Sequence, residues 1–146
     1  MRDCIVGLFV VVGLLCVAYL SVRLGKMDLF IENGFPLLAR FDSAQGLRVG
    51  ADVVMAGVAV GRVSAITLDD NPQHTQAVVH LQLFKDYRLS EDTIASIKTS
   101  GLIGDKYITL SRGGSSVILG AGDTINETES PVDLETLIGK YAFGGV

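Results

Sequence analysis

The 146-residue chain has no tryptophan, two histidines, two cysteines and three prolines, and only 19% of its residues are charged. With aromatics at 7%, no aromatic cage or stacking platform stands out. The low charge accompanies 49% hydrophobic residues and a mean hydropathy of +0.44. That balance excludes a disordered chain, which lacks the apolar surface to offset the entropy of ordering. Seventeen glycines against three prolines, with no triplet period, exclude a collagen-like repeat and point to turns and bulges. Basic residues are scarce too. From Met27 onward there are 15 acidic and 9 basic side chains, a net of −6. Neither a nucleic acid nor an anionic bilayer surface would find a basic face there.

Reactive groups are equally thin. His74 falls in a polar turn and His80 on the non-core face of an alternating strand. No Cys or second His stands at metal-ligand spacing outside the first apolar run. Gly57-Val58-Ala59-Val60-Gly61 and Gly101-Leu102-Ile103-Gly104-Asp105-Lys106 lack the spacing and the strand-to-helix context of phosphate loops. Asp69-Asp70 and Glu91-Asp92 read as solvated turn acids, and Asn126-Glu127-Thr128 is a glycosylation triplet of a kind common by chance. The reading is not an enzyme, with no cofactor and no metal.

What the chain has is concentrated apolarity. Cys4 to Val22 runs 19 residues without a charge, between Arg2-Asp3 and Arg23 and Lys26. As a helix it spans roughly 28 Å, near the thickness of a bilayer's hydrocarbon core. It has no polar stripe of the kind a soluble helix shows. A cleaved signal peptide would have a shorter apolar region and a small-x-small site, and none occurs around Ala18 to Val22. The segment therefore predicts an uncleaved anchor over 1–26, followed by a linker over 27–35. Cys4 and Cys16 both lie within it, about 18 Å apart on a helix and beyond disulfide reach. Flanking charge is nearly balanced, so the charge rule leaves the orientation open.

Residues 36–129 read as a small all-β domain. Pro36–Phe41, two strands or a bent pair within Val49–Leu68, Gln76–Phe84, Thr93–Thr99 and Lys106–Ser111 are the principal strands. Val117-Ile118 and Thr124-Ile125 are short ones, and Asp69 to Gln73 is the clearest turn. Ala77, Val79, Leu81 and Leu83 share one face. Short strands at this spacing argue a barrel or sandwich. The period then changes over 130–146. Ser130-Pro131-Val132-Asp133 is a helix-start signature, with Ser as cap and Pro in the first turn. Leu134, Leu137, Ile138 and Tyr141 form one apolar stripe, and Gly144-Gly145 ends it. A helix of about three turns is marginal alone in water. It must dock on its own barrel or on copies of itself.

One hairpin tip breaks the local rules. Turns favour Gly, Asn, Asp and Ser, yet Ser100-Gly101-Leu102-Ile103-Gly104-Asp105 places two bulky aliphatics between glycines. Facing water, each would leave about 1.5–3 kcal/mol of burial unused. Either the tip folds under and plugs its own barrel, or Leu102 and Ile103 meet an apolar ligand or a neighbouring subunit.

The run Phe41…Gly46-Leu47…Gly50…Val53…Gly57-Val58…Val60-Gly61…Val63, followed by Thr99-x-Gly101-Leu102-Ile103-Gly104-Asp105-x-Tyr107-Ile108, resembles the MCE domain family. The resemblance extends to the anchor and to the Leu134-Glu135-x-Leu137-Ile138-Gly139-Lys140 helix. Two departures are visible: Ile103 stands where Leu is common, and the sequence stops at Val146 where relatives often carry a polar tail. The resemblance implies a seven-stranded barrel in a homohexameric ring, on the periplasmic side of a bacterial inner membrane with the amino terminus cytoplasmic. It implies an ABC permease and ATPase and a STAS-domain subunit as partners, and a periplasmic lipid carrier. Leu102 and Ile103, shaped by Gly101 and Gly104, would form the pore loop of a phospholipid passage. Leu134, Leu137, Ile138 and Tyr141 would be the pore helix extending it. The outcome would be maintenance of outer-membrane lipid asymmetry. A membrane-anchored adaptor that only docks partners is the alternative.

Overall fold

The computed structural model describes residues 1–25 and 34–144. It forms two compact units, Met1–Asn33 and Gly34–Val146. The first is helix α1 (Arg2–Gly25), apolar around its whole circumference, with Asp3 in the first turn and Arg23 in the last. Those charges complement the helix dipole. At 24 residues it is long and apolar enough to cross a membrane. Most of the expected linker, residues 27–33, lies outside the described residues.

The second unit is a barrel of β1 (Phe35–Phe41), β2 (Asp52–Met55), β3 (Val58–Asn71), β4 (His74–Leu83), β5 (Ile94–Thr99), β6 (Lys106–Ser111), β7 (Thr124–Ile125) and β8 (Glu127–Glu129), followed by α2 (Leu134–Phe143). The strand order is β7-β1-β4-β3-β2-β6-β5-β8. The two outermost strands are one stretch of chain interrupted at Asn126. β7 pairs in parallel with β1, and β8 in parallel with β5. A single segment thus joins both edges of the sheet, and Thr128 Oγ1 donates to the Arg40 carbonyl to complete the seam. Counting 124–129 once gives the expected seven strands; counting its two halves gives eight. Closure removes the exposed edges that would invite aggregation.

Alternation places the core. Leu37, Ala39 and Phe41 of β1, Val79, Leu81 and Leu83 of β4, and Ile108 and Leu110 of β6 are all buried, every second residue along each strand. β3 carries a bulge between Val63 and Ala65. Ser64, the extra residue, donates its hydroxyl to the His80 carbonyl, and the bulge lets the longest strand bend around the barrel.

Three local expectations are corrected. The turn expected over 69–73 is only Pro72-Gln73, because Asp69, Asp70 and Asn71 stay paired with Gln76, Thr75 and His74. Val117-Ile118 is no strand; Ile118 makes an isolated bridge to Ser90. Ser130 does not cap α2. Its hydroxyl accepts the Ser43 backbone N–H from the turn after β1, while residues 127–129 still belong to the sheet. The helix starts at Leu134 with Asp133 as N-cap residue, and Pro131 precedes it.

Strand directions give the barrel two ends. At one lie the turn after Phe41, the β3–β4 turn, the β5–β6 loop and the exit into α2. At the other lie Phe35, where the chain enters, the Ala56-Gly57 turn, and the segments 84–93 and 112–123.

Candidate functional site

The β5–β6 hairpin joins the two ends. Its strands pair without slippage from Ile94↔Ser111 to Thr99↔Lys106, and Ser100 N–H donates to the Asp105 carbonyl at 3.0 Å, closing the loop. The glycines are there for two reasons. Gly101 has φ +70°, and a Cβ on Gly104 would be driven into the Ser100 carbonyl. A loop so tightly closed turns its two central side chains outward. Leu102 is 78% exposed and Ile103 97%. The tip does not fold under to plug its own barrel.

Helix α2 leaves from the same end. None of its residues is buried. Leu134, Leu137, Ile138 and Tyr141, the expected stripe, are all exposed, and so is Phe143. Within this one chain the helix does not pack its stripe on the barrel. The fold makes the loop tip and the start of the helix neighbours. A groove of about 930 Å³ runs between them, lined by Leu102 and Ile103 on one side and Val132 and Leu134 on the other, with Gly101 and Gly104 in its wall.

Polar ties hold the stretch leading into α2. Ser96 Oγ donates to Glu129 Oε2. Lys106 Nζ meets Asp133 Oδ1 at 2.8 Å, with side chains only 14% and 29% exposed. Neither tie carried a local sequence signal, because the partners lie 33 and 27 residues apart.

The far end of the hairpin is built differently. Ser90 and Thr93 are buried, and the Gly113 N–H donates to Ser90 Oγ. The Asp92 carboxylate accepts the Gly114 N–H at 2.8 Å and the Ser115 N–H at 3.0 Å. Hydrogen bonding from Ser90, then from those backbone donors, holds the Asp92 carboxyl below its ordinary range. His80 Nε2 lies 3.3 Å from Thr67 Oγ1, on the strand face where the alternation puts it. Among the described residues no group of His, Cys, Asp and Glu is arranged to hold a metal.

The chain thus combines an apolar helix long enough to cross a membrane with a barrel that holds two bare aliphatic side chains out on a glycine-shaped tip. Comparison with known proteins makes the assignment specific. The MlaD protein family model matches residues 33–113. A Haemophilus influenzae relative, the intermembrane phospholipid transport system binding protein MlaD, is 38% identical over 144 residues, covering 95% of this chain and 85% of its own. The Escherichia coli K12 protein of the same name is 36% identical over 146 residues, covering 95% and 79%. A chain of an Acinetobacter MlaFEDB complex in an ATP-bound conformation superposes with TM-score 0.63 at 24% identity, covering 88% of this chain and 98% of that one; this likeness concerns the fold. The chain belongs to the MlaD family of MCE-domain proteins. Its relatives are transport-system subunits rather than enzymes.

Proposed function

We propose that the chain is the phospholipid-binding subunit of an ABC-type intermembrane transporter, working as a homohexameric ring whose axis is lined by Leu102 and Ile103. The carrying observation is the pair of exposed aliphatics at the glycine-held tip, beside an α2 stripe none of whose residues is buried within its own chain. The names of the relatives at 36–38% identity support the cargo.

Each acyl CH₂ exposed to water costs about 0.8 kcal/mol, so a lipid crossing an aqueous space needs a continuous apolar path. Six copies of an aliphatic dipeptide around an axis supply one. Leu and Ile make no directional bonds, so they shield acyl chains without demanding a head group. The α2 helices, bundled across copies through Leu134, Leu137, Ile138 and Tyr141, extend the path and gain the burial that each lacks alone. No nucleotide-binding motif appears in the sequence, so the energy comes from partners: an ABC permease and ATPase with a STAS-domain subunit. A periplasmic carrier exchanges lipid with the ring. The helix α1 anchors the chain in the inner membrane, amino terminus cytoplasmic and barrel periplasmic.

Native mass spectrometry of the full chain, with extraction of co-purifying lipid, tests oligomer and cargo together. A hexamer carrying phospholipid is expected. A lipid-free monomer would leave a docking adaptor as the reading.

A further inference from the structure

Four residues in the segment entering α2 are each fastened to a different part of the barrel. Thr128 is tied to β1 through the Arg40 carbonyl, and Glu129 to β5 through Ser96. Ser130 is tied to the turn after β1 through the Ser43 N–H, and Asp133 to β6 through Lys106. The Asp133 tie is the last before the helix, whose residues are all unburied. It is also the most sheltered of the three ion pairs among the described residues. Arg40–Asp69 and Arg62–Asp52 have both partners at least 38% exposed, against 14% and 29% here.

Three details set this pair apart from an incidental surface bridge. Lys106 is the first residue after the 100–105 loop, and Asp133 the last before α2, so the bond spans the bases of the two apolar features. Asp133 occupies the N-cap position, yet its side chain makes no capping hydrogen bond to the helix. The carboxylate serves the barrel instead of its own helix, a breach of local preference of the kind found at functional sites. Gly46, at φ +80°, leaves room for the lysine stem, since a Cβ there would stand 2.8 Å from Lys106 Cε. The stem is thus seated in a notch with its ammonium fixed toward Asp133.

We infer that Lys106 and Asp133 are positioning residues that set the bearing of α2 on the pore-loop hairpin, so that Leu134 stays across the groove from Leu102 and Ile103. Without the tie, α2 pivots about residues 131–133 and the two apolar surfaces part. The consequence for lipid passage rests on the function proposed above; the tie itself does not.

The test measures geometry separately from transport. In the full chain with Cys4→Ala and Cys16→Ala, spin labels are attached through Lys98→Cys on β5 and Lys140→Cys in the last turn of α2, and labelled chains are diluted with unlabelled ones. Dipolar spectroscopy should give one narrow distance distribution. Lys106→Met, which keeps the stem, and Asp133→Asn should each widen it at least about twofold. Lys106→Arg, and the swap Lys106→Asp with Asp133→Lys, should restore it. A lowered melting temperature with an unchanged distribution in both Lys106→Met and Asp133→Asn would mean a merely structural bridge and would overturn the inference. So would widening that neither restoring variant reverses. Because the distances need no lipid, a chain that conducts none still reports on the tie, and the two proposals fail separately.

Discussion

The two ends of the β5–β6 hairpin share one ladder and follow opposite logic. At the Asp92 end, side chains serve the fold: Ser90 and Thr93 are buried, and the carboxylate collects the backbone donors of the facing loop. At the Ser100–Asp105 end the backbone closes on itself and the side chains are left over, two large aliphatics in the position turns reserve for polar residues. An end that satisfies itself stabilises the barrel. An end that holds apolar surface rigidly outward needs something else to cover it.

That contrast can be broken by substitution. The largest functional effect is expected from Leu102→Asp with Ile103→Asp, which should abolish lipid passage while folding stability stays within about 0.5 kcal/mol of the parent. Normal barrier function of the outer membrane in cells carrying that pair would remove the loop from the mechanism. Phe41→Ala, in the core, should do the reverse and cost about 3–5 kcal/mol in denaturant unfolding. Between these lies Gly104→Ala. Its methyl group meets the Ser100 carbonyl, so a loss of roughly 1–3 kcal/mol is expected, with a displaced tip and weakened lipid retention. Truncation after Pro131 should leave the barrel's melting temperature nearly unchanged but loosen the oligomer by light scattering; an unchanged oligomer would refute the assembly role of α2.

The smallest effect sharpens the other end. The Asp92 carboxyl titrates below its ordinary value when folded. Its contribution is therefore full above the unfolded value and disappears as pH falls through the folded one. Acid unfolding curves of Asp92→Asn should be flatter than the parent's across that window and similar at neutral slopes. Parallel curves would show that the carboxylate is not a stabilising group.

Much of this was legible in the residues. The alternation of β4 puts Ala77, Val79, Leu81 and Leu83 on one face; the last three are buried, and Ala77, nearer the start of the strand, is half-buried. The charge-free run predicts α1. The loop tip announced itself by violating turn chemistry. What the sequence concealed depends on distant partners. β8 is Glu127-Thr128-Glu129, with no apolar alternation, and it pairs beside Ile94 to Ser96 while its side chains reach Arg40 and Ser96. Ser130 resembles a cap until Ser43, 87 residues away, claims its hydroxyl. Local rules place a residue only when no remote group competes for it.

The central claim, that Ile103 touches lipid at an axis shared by several copies, has a direct test. A photo-reactive side chain would replace Ile103 in the full chain within membranes, with an identical probe in place of the exposed Arg62 on β3 as control. Irradiation should yield adducts of phospholipid mass and chain-to-chain crosslinks from position 103, and neither from position 62. Equal labelling at both positions, or no lipid adduct at 103, would contradict the account.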